Sequence, residues 1–128
     1  MSEQAELKYT AEHEWVRIDG DTLTVGITAY AADKLGEVVF VDVPEAGASV
    51  SKGKVVAEVE STKSVGEVYA PVDGTIVESN SAVADNPELI NEDPTGAGWL
   101  FTIRIGSPES FDASGLLDAD AYAALTRG

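Results

Sequence analysis

The stretch that decides the fold is Val56-Ala57-Glu58-Val59-Glu60-Ser61-Thr62-Lys63-Ser64-Val65-Gly66-Glu67-Val68-Tyr69-Ala70-Pro71. Two runs of strand-forming residues flank the small polar group Ser61-Thr62-Lys63-Ser64. A four-residue polar tip between two strands predicts a tight hairpin turn. Such a turn projects Lys63 from its end into solvent. Lys63 is the only basic residue between Lys54 and Arg104, so a lysine-modifying enzyme would meet no neighbouring competitor. Any hairpin tip can carry a lysine for solubility, and the tip by itself favours that reading over modification.

Outward from the hairpin, strand signals dominate. Thr22-Leu23-Thr24-Val25-Gly26-Ile27-Thr28 alternates strictly, with Leu23, Val25 and Ile27 on one face. Asp19-Gly20-Asp21 is a turn signal, so Trp15–Ile18 and Thr22–Thr28 are expected to pair as a hairpin. Glu37–Val43 is apolar on both faces and is expected to be a buried strand. Gly74–Ser79 and Leu100–Ile105 are further short strands, separated by Pro- and Gly-bearing turns such as Pro44-Glu45-Ala46-Gly47 and Pro71-Val72-Asp73-Gly74. About seven strands at this spacing predict an all-β sandwich or barrel core. Helices are few. Thr28 is placed to cap a short one ending at Gly36, and Asn86-Pro87 to start a single turn at Glu88-Leu89-Ile90. Leu117, Ala121, Ala124 and Leu125 share a face of an expected C-terminal helix over about 116–126. No linker or second domain is evident, and 1–128 reads as a single domain.

Composition narrows the function. The chain has 128 residues, and two domains of that total length would each be too small to bury a good core. Cysteine is absent, which excludes disulfides, thiolate metal sites and mechanisms that use a protein thiol. With 23 acidic and 8 basic residues the net charge is −15. That charge argues against nucleic acid and anionic membranes as partners, and it suits docking on basic surfaces. The acids are spread along the chain, so they form a charged surface and not a tail. No apolar run is long enough to span a membrane, and the acidic start lacks the marks of a signal or transit peptide. A cytoplasmic protein is expected.

Around the hairpin, Gly47, Val50 and Gly53 precede the first strand, and Ala70-Pro71-Val72-Asp73-Gly74-Thr75-Ile76 follows the second. This order resembles the biotinyl/lipoyl carrier fold, with the modified lysine at position 63. Glu60 stands three residues before Lys63, where the lipoyl pattern has its acid. Thr62 and Ser64 stand where biotin carriers have Met, and Thr62 where lipoyl modules of 2-oxoacid dehydrogenases usually have Asp. Other segments are similar to the glycine cleavage system H proteins: Tyr9-Thr10-Ala11-Glu12-His13-Glu14-Trp15-Val16-Arg17, Val25-Gly26-Ile27-Thr28, Leu35–Val41, Asn91-Glu92-Asp93-Pro94 and Gly98-Trp99-Leu100. The resemblance runs from about Lys8 into the expected C-terminal helix. It departs at Gly66-Glu67, where Ser-Asp is common, and at Thr95, where an aromatic is frequent.

The resemblance implies a mainly β barrel-sandwich hybrid with short helices and a C-terminal helix. It implies lipoate bound through an amide to Lys63, with Glu60 serving recognition for lipoylation. The function implied is that of a shuttle. It takes an aminomethyl group from the pyridoxal-phosphate glycine decarboxylase (P protein) to the tetrahydrofolate-dependent aminomethyltransferase (T protein). Dihydrolipoamide dehydrogenase (L protein) then reoxidises the arm. A lipoate-attaching enzyme is a further partner, and the chain is expected to be a monomer and a carrier, not a catalyst. The competing reading is a lipoyl domain or lipoyl donor serving 2-oxoacid dehydrogenase complexes. A carrier of a hydrolysable amine gains from a water-excluding cleft with a carboxylate in it. The resemblance places Glu14 there, with Glu12 and Glu67 as weaker candidates.

Other motifs carry less. One histidine, His13, without cysteine makes a transition-metal site improbable, and a hydrogen-bonded structural His beside Trp15 is the preferred reading. Ser49-Val50-Ser51-Lys52 matches S-x-x-K without the partner motifs of that hydrolase class and reads as a turn. Gly96-Ala97-Gly98 lacks the third glycine of a dinucleotide loop. Trp15, Trp99, Phe40, Phe101 and Tyr122 are expected in the core.

Overall fold

A computed structural model describes residues 7–10, 13–19, 21–105, 117 and 121–124. Glu12, the Gly106-Ser107-Pro108 break and most of the expected C-terminal helix lie outside the described residues. Residues 121–124 are helical, and Leu117 forms an isolated bridge to Tyr9.

Among the described residues, nine strands form two antiparallel sheets. The first sheet has the order β1 (Leu7–Tyr9), β2 (Glu14–Asp19), β3 (Thr22–Ile27), β9 (Phe101–Arg104), β8 (Gly74–Ser79) and β5 (Ser49–Val50). The second has the order β4 (Val38–Asp42), β6 (Val55–Ser61) and β7 (Val65–Tyr69). Residues of both sheets join one buried cluster, including Val16, Leu23, Val25, Phe101 and Ile103 from the first and Val41, Ala57, Val59 and Val68 from the second. Alternation decides which residues go there: Leu23, Val25 and Ile27 are buried as expected, while Thr22 and Thr24 are partly exposed.

Helix α1 (Ala29–Leu35) keeps its expected limits. The Thr28 side chain accepts from the Ala31 N–H at its start, and Gly36 ends it at φ 85°. Two further helices lie between β8 and β9, α2 (Ser81–Asp85) and α3 (Leu89–Glu92), and they bury Val83 and Ile90. The sequence reading missed α2, whose five residues are too few to show a periodicity; Asn80 caps it.

Trp15 is fully buried outside that cluster. Its indole N–H donates to the Pro94 carbonyl at 2.8 Å, and the Arg17 guanidinium stacks over its ring. Gly26 faces Trp15 across the β2–β3 ladder, and a Cβ there would fall 2.7 Å from the indole. The glycine of Val25-Gly26-Ile27 is therefore the space the tryptophan occupies.

Three expectations are corrected. Glu37–Val43 is not buried on both faces: a bulge between Val38 and Phe40 turns Val39 and Phe40 both outward, 49% and 51% exposed. Phe40 is thus not a core residue, and Trp99 is only partly buried. Ser49-Val50 is not merely part of a turn, because it pairs with β8.

Candidate functional site

The β6–β7 hairpin runs in unbroken register from Ala57↔Val68 to Glu60↔Val65, so Thr62, Lys63 and Ser64 form its tip. Ser61 builds the turn. Its N–H donates to the Ser64 carbonyl at 2.8 Å, and its Oγ accepts from the N–H groups of Lys63 (3.2 Å) and Ser64 (3.0 Å). The Thr62 N–H donates to the Glu37 carbonyl, tying the tip to the segment between α1 and β4. A hydroxyl that gathers the turn's own backbone donors makes the tip rigid without a bulky side chain. Lys63 is left exposed on it.

The Lys63 side chain lies across Gly36. A Cβ on Gly36 would stand 3.3 Å from Lys63 Cε. The same glycine has φ 85°, so its lack of a side chain serves both the helix end and the lysine's path. Asn91 fixes this corner by donating to the Gly36 carbonyl (2.7 Å) and accepting from the Val38 N–H (2.9 Å). Beside it opens a groove of about 650 Å³ lined by Ala29, Ala32, Asp33, Gly36, Asn91, Glu92 and Pro94. The sequence marks Gly36 only as a helix end and Asn91 only within a family-like segment; their place beside Lys63 was not expected. Their role depends on contacts more than twenty residues apart, which no local pattern encodes.

The predicted acids fall in different places. Glu60 sits in the β6 ladder directly opposite Val65, partly buried. Glu14 is 1% exposed. His13 adopts φ 68°, its N–H bonds the Thr10 carbonyl, and this turn swings Glu14 inward. The Glu14 carboxylate accepts from the Thr10 hydroxyl and from the Tyr69 backbone N–H, so an acid of the first sheet binds the backbone of the second. Glu67 is exposed and accepts from the Tyr69 hydroxyl at 3.0 Å. Tyr69 therefore links Glu14 and Glu67 through its two ends, which sequence reading did not anticipate. Glu12 lies outside the described residues.

His13 bonds the Tyr122 hydroxyl through Nδ1 at 2.8 Å, and that hydroxyl also bonds Thr28 Oγ1 at 2.7 Å. Tyr122 stacks on Tyr9 with centroids 4.8 Å apart. Burial pushes the Tyr122 hydroxyl pKa up, and the bond to Thr28 partly opposes that. The single histidine thus fastens helical residues 121–124 to the N-terminal part of the chain. Among the described residues no group of three or more His, Cys, Asp or Glu could hold a metal ion, and no helix is long and apolar enough to cross a membrane.

Comparison with known proteins is consistent across sequence and structure. The family model described as "Glycine cleavage H-protein" matches residues 7–128. A glycine cleavage system H protein of Clavibacter sepedonicus is 56% identical over 125 residues, covering 98% of each chain. One from Beutenbergia cavernae is 53% identical over 128 residues, covering 100% of this chain and 99% of its own. The crystal structure of a glycine cleavage system H protein from Mycobacterium marinum superposes with a TM-score of 0.87 at 40% identity, covering 98% of this chain and 99% of that one.

Proposed function

The chain belongs to the glycine cleavage H-protein family, and from that premise we propose that its lipoate is attached through an amide to Lys63 Nζ. Proteins of this family are lipoyl-bearing carriers of the glycine cleavage system. The shuttle reading therefore stands above service to 2-oxoacid dehydrogenase complexes. One observation supports Lys63 above all: it is exposed at the tip of a hairpin whose turn is closed by backbone and Ser61 bonds alone. The residues around it fit an arm, since Gly36 offers no side chain beneath the lysine's Cε.

When bound, lipoate supplies the dithiolane that takes up the aminomethyl group and is later reoxidised. The chain's own part is tethering and positioning. A rigid tip holds the attachment point at a fixed place on each docked enzyme, which raises the local concentration of the cargo there. The partners in this reading are the P, T and L proteins and a lipoate-attaching enzyme. The chain acts in the cytoplasm as a monomeric, single-domain, non-catalytic carrier. Glu60 marks the hairpin for lipoylation. Glu14, Glu67 and Glu12 supply the negative charge that favours a cationic amine near the arm. Glu67 presents an exposed carboxylate steadied by Tyr69, while Glu14 contributes its field from inside.

Intact mass after incubation with lipoate and a lipoate-attaching enzyme should show one lipoyl group, absent in Lys63→Arg. Modification elsewhere, or none on the wild-type chain, would remove the assignment. Glu14→Gln should shorten the lifetime of the carried aminomethyl group and leave lipoylation intact; an unchanged lifetime would take Glu14 out of the arm site.

A further inference from the structure

The second sheet has an outer face that its own stability does not explain. Its inner face is buried: Val41 and Val59 stand opposite each other across β4 and β6, and Ala57 faces Val68 across β6 and β7. The opposite face shows two rows that cross all three strands. One row is Asp42–Glu58–Glu67, three acids directly opposite one another in the ladders. The next row toward the tip is Phe40–Glu60–Val65. Phe40 is 51% exposed and Val65 55% exposed. Like charges directly opposite destabilise a sheet, and exposed apolar side chains flanking an acid gain nothing from water. Both costs fall when a basic surface with an apolar pocket covers the face.

The position names the occupant. Val65 is two residues from Lys63 and Glu60 three, on the strands that end in the tip. Enzymes that work on the far end of the arm need only come within an arm's length of the lysine. An enzyme that makes the amide must bring an activated lipoyl acyl carbon (a mixed anhydride or a thioester) into bonding contact with Nζ. There the new N–C bond forms as the bond from that carbon to its leaving group breaks, and the amine proton passes to a base on that enzyme. Its surface must therefore rest on the hairpin itself.

We infer that the Phe40–Glu60–Val65 and Asp42–Glu58–Glu67 rows are the docking face for the lipoate-attaching enzyme, with Phe40 as the apolar anchor. This rests on lipoylation at Lys63 and adds a surface to it. The bulge at Val39–Phe40 has a purpose in this reading, because it turns the anchor outward from a strand whose next residue, Val41, is core.

The test is the rate of lipoylation, followed by intact mass, for wild type, Phe40→Ser, Phe40→Tyr and Asp42→Lys. Phe40→Ser and Asp42→Lys should each lower kcat/KM for lipoylation about tenfold or more, with Phe40→Tyr close to wild type and the wild-type rate falling as salt rises. Each variant, once driven to full lipoylation, should accept the aminomethyl group from the glycine decarboxylase at the wild-type rate. Thermal unfolding identifies a variant that fails to fold; the charge reversal then carries the result. Unchanged lipoylation in both Phe40→Ser and Asp42→Lys would overturn the inference, as would equal losses in the two assays. Absence of lipoate on wild-type Lys63 would instead overturn the attachment site.

Discussion

The two sheets put their acids to opposite uses. The six-stranded sheet buries Glu14 at 1% exposure and satisfies it with the Thr10 hydroxyl and the Tyr69 N–H. The three-stranded sheet sets Asp42, Glu58 and Glu67 in one row on its outer face, with Glu60 in the next. A buried carboxylate with fixed donors joins parts of a fold, because removing it strands those donors. A row of opposed surface carboxylates works against the fold and is retained at a cost. The first sheet is thus the scaffold, and the second carries the outer face inferred above to dock the lipoate-attaching enzyme.

This division predicts that changes in the first sheet should cost stability and changes on the outer face of the second should not. Glu14→Ala should have the largest effect, a loss of about 2–3 kcal/mol in urea unfolding, since it leaves the Tyr69 N–H without its acceptor. A loss below half that would show that the two sheets do not depend on this bond. Gly26→Ala should follow at about 1–3 kcal/mol, because the new Cβ forces the Trp15 indole to move; tryptophan fluorescence should shift with it.

Tyr122→Phe should cost about 1 kcal/mol, the hydroxyl's bonds to Thr28 and His13 being lost. The same group gives an alkaline dependence. Its pKa is raised by burial above the ordinary tyrosine value of about 10. Below that value both states keep the proton and the contribution is whole. As pH rises past it the unfolded chain ionises first, so it binds fewer protons and stability falls. Urea midpoints measured from pH 9 to 11 should therefore fall more steeply for wild type than for Tyr122→Phe. Smallest, and opposite in sign, is Glu58→Gln. Relieving two like-charge contacts should raise stability by about 0.5 kcal/mol. A loss of stability there would end the contrast between the sheets.

Much of this architecture was legible along the chain. Thr28 and Gly36 bracket α1 through local capping chemistry, and the alternation at Leu23, Val25 and Ile27 names the inner face of β3. Ser61 to Ser64 announce the tip, because turn residues act on neighbours within a few positions. Phe40 shows where such reading fails. Alternation says which residues share a face, but a one-residue bulge changes the face, and nothing local states whether that face is covered.

The hairpin, the lone lysine on it and the β-rich class can all be read along the chain, since they follow from nearest-neighbour propensities and spacing. It takes the folded molecule to place Glu14 across two sheets, Gly36 beneath Lys63 and Tyr122 against His13, and to gather four acids and two apolar residues on one open face. Most of these join residues tens of positions apart. Such contacts are set by how the sheets pack and register against one another, and that energy belongs to the assembled fold, not to any segment of the chain.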